Sequence, residues 1–321
     1  MANNTTYLNS WSVTTAVTVC GKPAPPDEEV QGRLKRRGWE LGGRTTSVSR
    51  ALHEISAGKA SVLILEDSRE LPIAVMLRQL IRSKIGLLTP TIATYNDYSH
   101  DEKPCYGSIG HPMLIEGPTT PSSFVESFEF LLLRWSQKQL QPLKEAGMHL
   151  AKGNTQSCIK LLSEPATCDD SQVYSVAGPC LSLFFRDQDR RVSEKILLGL
   201  LEKSKKNMGI LLSLVDLYLE SAMPGYALKL LKTASNAFSN PRCISLDFLQ
   251  TYLLLNDIQS AIKVVARMKL DGYMPSVPER YLARLAITEG DKTRFNAQTK
   301  AKGQREEYLA AWELSDTLKA S

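Results

Sequence analysis

Four pairs of residues spaced 34 apart in the second half of the chain constrain its fold most: Tyr218 and Tyr252, Ala227 and Ala261, Leu231 and Val265, Pro241 and Pro275. The register runs forward from Asn256 to Gly290, at a turn signal, and from Ala261 to Phe295. It runs backward from Tyr218 to Phe184, from Leu231 to Leu197 and from Ala234 to Leu200. From residue 139 onward the apolar spacing is helical, with no sustained two-residue alternation. A fixed period in an all-helical stretch implies stacked helix pairs, because one pair cannot bury its apolar face alone.

An aromatic residue in the first helix, a small residue where the second helix crosses it and a proline at the end of the unit resemble the tetratricopeptide repeat. Four or five such units fit into residues 139–315. The side chains depart from the family: its early Trp and Gly are missing, and Met268 and Phe295 stand where smaller residues are usual. The unit around Lys152-Gly153-Asn154 is out of phase, and "REEYLAAWELSDTLKAS" is expected to cap the stack. The recurring Tyr and Ala residues are core packing. The resemblance implies a groove, lined by first helices, that recognises a protein segment; Asp216, Glu220, Gln250, Asn256 and Arg284 are the lining candidates.

Residues 12–136 read differently, with apolar runs and helical patterns in alternation. Candidate strands are Val13–Cys20, a weak one at Trp39–Leu41, Val62–Leu65, Thr91–Thr94 and Met113–Ile115. Helical patterns lie at Asp27–Arg37, Ser47–Ala57, Ile73–Lys84 and Ser122–Ser136, and the breaker-rich "NDYSHDEKPCYGSIGHP" leaves the fourth crossover helix short or absent. Such a rhythm implies a mainly parallel sheet covered by helices on both faces. The expected organisation is a tail at 1–11, an α/β domain at 12–137 and an all-α repeat domain at 138–321.

Five strands with this spacing, and the motif "LILEDSRELP" at the third, resemble the receiver domain of bacterial response regulators, a flavodoxin-like fold. The resemblance implies a phosphoacceptor aspartate after the third strand, best matched by Asp67 with Glu66 next, and a hydroxyl residue after the fourth, matched by Thr94. Two further requirements are not met. Where the family ends its first strand in acids that hold Mg²⁺, this chain has Cys20 and Gly21; where a lysine follows the fifth strand, it has Gly117, next to Glu116. Hard carboxylate ligands and the lysine manage charge during phosphoryl transfer. Without them a phosphate beside Glu66, Asp67 and Glu116 is repelled by about 1 kcal/mol or more per close pair. The two acids then read as solvated residues capping the next helix.

The remaining composition narrows the function classes. No apolar run reaches the ~18 residues that span a bilayer, and the N-terminus lacks signal-peptide regions, so a cytoplasmic protein is expected. The six cysteines are scattered without metal-ligand spacing, which points to buried free thiols and no metal or other cofactor. The net charge of +5 divides as 15 − 14 = +1 over 1–138 and 24 − 20 = +4 over 139–321, weak for a nucleic-acid binder. No nucleophile is paired by motif with His53, His100, His111 or His149. The expectation is a non-enzymatic bacterial signalling scaffold, whose protein partners would be a histidine kinase, another receiver or a polar or motility complex component, with homodimerisation left open. The alternatives are a regulator phosphorylated at Asp67 and an RNA-binding repeat protein.

Overall fold

Val62, Leu63, Ile64 and Leu65 are all buried, as a strand covered on both faces requires, and they form the middle of a five-stranded sheet in the computed structural model. The structure describes residues 14–21, 28–68, 71–96, 102–117, 119–239 and 241–270. Expectations for the tail at 1–11, for Asp27, Pro118 and Arg284, for the repeat units carrying Pro275, Gly290 and Phe295, and for the C-terminal cap lie outside these residues.

The strands are β1 (Thr14–Val19), β2 (Trp39–Thr45), β3 (Val62–Glu66), β4 (Thr91–Tyr95) and β5 (Met113–Glu116). Their order across the sheet is β2-β1-β3-β4-β5, and every neighbouring pair is parallel. β2 extends beyond the expected Trp39–Leu41 because pairing with β1 carries it through Gly42 and Gly43, which have low strand propensity. The register shifts between Ala16 and Thr18. A Cβ on Gly42 would stand 2.9 Å from Thr15 Cγ2 and 3.1 Å from the Ala16 carbonyl, so this crowded strand pair suits glycine.

The connecting helices are α1 (Glu28–Lys35), α2 (Val48–Ser56), α3 (Ile73–Leu80), α4 (Lys84–Leu87), α5 (Lys103–Gly107) and α6 (Pro121–Trp135). The fourth crossover helix, α5, is five residues long. α6 starts at Thr120, whose hydroxyl accepts from the Ser123 N–H, and buries Val125, Phe128, Leu131, Leu132 and Trp135 as its apolar stripe. It packs beside α1, and Phe128 meets Trp39 with ring centroids 5.3 Å apart. α2, α3 and α4 form a second group.

Among the described residues four helix pairs follow: α7 (Gln141–Ala151) with α8 (Thr155–Ser163), α9 (Ser171–Phe185) with α10 (Arg190–Lys203), α11 (Met208–Glu220) with α12 (Pro224–Ala237), and α13 (Ser245–Leu254) with α14 (Ile258–Leu270). The 34-residue register is visible in the packing. Ser193, Ala227 and Ala261 are fully buried where second helices cross; Leu197, Leu231 and Val265 follow one turn on, then Leu200, Ala234 and Met268. Ala222 and Asn256, again 34 apart, take positive φ of 56° and 58° in the turns after α11 and α13.

First and second helices are buried differently. In α9 every residue from Val173 to Phe184 is buried, and in α11 every residue from Met208 to Tyr218, whereas α10 buries only Ser193, Leu197 and Leu200. The cause is the α/β unit, which lies against the first helices: α4 packs on α9, α2 and α4 meet α7, and α3 contacts the 3-10 turn Arg242–Ile244 before α13. At Gly209 a Cβ would meet the Ser108 carbonyl at 2.8 Å, so the start of α11 approaches the α/β backbone closely. No helix among the described residues is long and apolar enough to cross a membrane.

Candidate functional site

At the carboxyl ends of the strands, where ligands bind in open parallel sheets, a cleft of about 420 Å³ is lined by Thr18, Arg44, Glu66, Asp67, Thr94 and Gly117, among others. Asp67, placed directly after β3, is committed to backbone donors. Its Oδ1 accepts from the Ile73 N–H at 2.8 Å and its Oδ2 from the Asn96 N–H at 3.3 Å. Pro72, the residue before α3, makes no side-chain cap, so the Asp67 carboxylate supplies one from six residues upstream. The same carboxylate ties β3 to the end of β4.

Glu66 forms an ion pair with Arg44, a β2 residue that sequence reasoning did not single out. Arg44 is 16% exposed and Glu66 35%, so a fixed guanidinium balances this acid at the cleft wall. The Thr94 hydroxyl donates to the Leu65 carbonyl at 3.3 Å. Cys20 is buried against β2, its backbone N–H 2.9 Å and its sulfur 3.9 Å from the Thr45 carbonyl. The Gly117 N–H donates to the Tyr95 carbonyl, and a Cβ there would stand 2.6 Å from Asn96 Oδ1. Any side chain at 117 therefore displaces Asn96, which takes part in holding Asp67. Among the described residues no group of three or more His, Cys, Asp or Glu side chains is arranged to hold a metal ion.

The proposed groove residues separate in space. Glu220 ends α11 and pairs with Arg186 at 3.1 Å, Gln250 is half-buried on α13, and Asn256 is exposed in the turn before α14. Asp216 is not a groove residue. It is 5% exposed and faces the α/β unit, because that unit covers the first-helix surface on which the groove was expected.

Its partner is Arg78 of α3, itself 4% exposed. Arg78 Nη1 and Nη2 donate to the two Asp216 oxygens at 2.7 and 2.5 Å, while Nε and Nη2 donate to Asp247 of α13 at 3.0 and 2.8 Å. Arg82, half-exposed, adds a 2.8 Å bond to Asp216. Two guanidinium groups and two carboxylates thus neutralise one another across the interface, as buried charge requires. Burial alone would raise the Asp216 pKa; Arg78 and Arg82 outweigh it and hold the group down at about 2. Burial likewise opposes the charged form of Arg78, and the two carboxylates overcome it and raise its pKa.

Sequence reasoning missed Arg78 and Asp247. The available signal was one charged residue inside an otherwise apolar helix: Arg78 in "IAVMLRQL" and Asp216 in "MGILLSLVDLYL". Comparison of the chain with protein-family models, with curated proteins and with solved structures finds no match in any of the three.

Proposed function

We propose that this chain is a non-enzymatic signalling adaptor, in which a degenerate receiver-like unit and a tetratricopeptide-like array act together as a scaffold for other proteins. The strand order β2-β1-β3-β4-β5 supports the flavodoxin-like assignment, because the same order characterises that class. The buried series Ser193, Ala227 and Ala261 supports the repeat assignment.

The observation that carries the reading is the state of the strand-end acids. Both Asp67 oxygens accept backbone N–H groups, and Glu66 is paired with Arg44. A nucleophilic carboxylate would have to release the first turn of α3 and the end of β4, and no lysine follows β5 to receive the phosphoryl charge. Since the α/β unit already occupies the first-helix face, partners would meet the outer helices or the sheet rim. The partner class remains the one expected from the resemblance: a histidine kinase, another receiver, or a component of a polar or motility complex.

Incubating the protein with acetyl phosphate, or with beryllofluoride and Mg²⁺, tests this directly. The expected result is no phosphate adduct in the intact mass and no change in intrinsic fluorescence. An adduct that disappears in Asp67→Asn would establish a phosphorylatable regulator instead.

A further inference from the structure

Two cysteines that are 138 positions apart in sequence meet at the boundary between the α/β unit and the helix pairs. Cys105 lies in α5 and Cys243 in the 3-10 turn before α13, and their sulfur atoms are 3.3 Å apart. From this juxtaposition we propose that Cys105 and Cys243 are a site of oxidative modification, at which a hydroperoxide converts the two thiols into a disulfide that joins the α/β unit covalently to the array. The inference does not depend on the adaptor reading.

The segments that carry the sulfurs are tied from both sides. The Glu102 carbonyl accepts from the Tyr106 N–H at 3.0 Å within α5, and its carboxylate accepts from the Arg242 N–H at 3.1 Å, adjacent to Cys243. One residue thereby anchors both thiol-bearing segments. Ser108 adds a second tie: its hydroxyl donates to the Cys105 carbonyl at 2.8 Å and accepts from the Met208 N–H at 3.0 Å at the start of α11. A disulfide has an S–S length of about 2.05 Å. Side-chain rotation must bring the sulfurs closer by only about an ångström, with the backbone left in place.

The step balances with one equivalent of peroxide. The sulfur of Cys243, 5% exposed against 0% for Cys105, attacks the peroxide oxygen; an S–O bond forms, the O–O bond breaks, and water or an alcohol leaves with the thiol proton. The Cys105 sulfur then displaces the sulfenic hydroxyl, forming the S–S bond and releasing water with its own proton. Both sulfurs are oxidised and the peroxide is reduced. Burial pushes the Cys243 thiol well above its ordinary pKa, so the thiolate is scarce and the pair stays reduced until the interface opens or peroxide persists. The cross-link lies close to the Arg78, Asp216 and Asp247 cluster, since Asp247 is one helical turn beyond Cys243. Oxidation would therefore fix covalently what the ion pairs hold reversibly.

The test uses the full chain, reduced and then exposed to hydrogen peroxide or diamide under native conditions. The expected result is an intact mass lower by two hydrogens, a digest peptide joining Cys105 to Cys243, and a Tm raised by ~5 °C or more, as closing a long loop predicts. The Tm gain should vanish in Cys105→Ser and in Cys243→Ser and persist in Cys158→Ser. A wild-type protein that loses no hydrogens or that joins other cysteines overturns the proposal, and the wild-type mass and digest need no variant to fold.

Discussion

The arginine–carboxylate pairs on the sheet rim and at the boundary between the α/β unit and the helix pairs differ in their access to water. On the sheet rim Arg44 faces Glu66 with both groups partly exposed, whereas at the interface Arg78 faces Asp216 and Asp247 with all three buried. A partly exposed pair is screened and contributes about 0–1 kcal/mol. Removing one partner of a buried pair costs about 3–5 kcal/mol, because the remaining charge is stranded away from water. The same chemistry therefore shapes a local surface at one place and governs the assembly of two units at the other.

The sharpest way to break this contrast is Arg78→Ala. It leaves Asp216 and Asp247 with only the half-exposed Arg82, and is expected to destabilise the fold by about 3–5 kcal/mol in urea denaturation. Replacing Arg78, Asp216 and Asp247 together by leucine should recover most of that loss, since no buried charge would remain. If Arg78→Ala costs no more than a surface substitution, the buried cluster does not hold the interface.

Acid should act on the interior in two stages. His111 is half-buried, its Nε2 shielded from solvent, with a positive φ of 51°; desolvation, reinforced by Arg134 and opposed by Asp170, lowers its pKa to about 4. The unfolded chain then binds more protons than the native one between about pH 6.5 and 4, so stability falls by about 3 kcal/mol as pH drops through that window. His111→Asn, which tolerates the backbone and does not titrate, should flatten this segment of a urea-midpoint against pH curve. Asp216 is lowered from 3.8 to about 2, so its contribution is complete above pH 3.8 and about 2 kcal/mol is lost as pH falls toward 2.

On the rim the expected effects are smaller. Asp67→Ala removes the acceptor for Ile73 and Asn96 and should cost about 1–2 kcal/mol, with hydrogen exchange at the Ile73 amide accelerating beyond the global change. Glu66→Gln should change stability by less than about 1 kcal/mol in the same denaturation assay, because its pair with Arg44 reaches water. A larger effect at Glu66 than at Arg78 would invert the comparison.

Much of the α/β unit was legible because local patterns and the final environment agree. The apolar runs at 62–65, 91–94 and 113–115 became β3, β4 and β5 with one residue added to each, and the period of 34 marks the residues buried between helices. β2 was only partly legible, since two glycines obscured its second half and the β1 ladder overrode them. On the rim the sequence supplied the strand-end positions of Cys20, Glu66, Asp67, Thr94 and Gly117, but not their partners. That Asp67 holds Ile73 and Asn96, and that Arg44 covers Glu66, depended on a strand end and two turns meeting in space.

The sequence by itself determined periodicity: the alternation of strands and helices in the first half, the helical character of the second, and the 34-residue register of its buried positions. Those properties arise from residues within a few positions of each other, or from one repeat stacking on the next. Only the tertiary structure decided that the α/β unit lies against the first helices, that Arg78 meets acids 138 and 169 positions away, and that Cys105 touches Cys243. Contacts over such separations leave no periodic trace, and a single buried charge or thiol reveals its partner only when packing brings the two together.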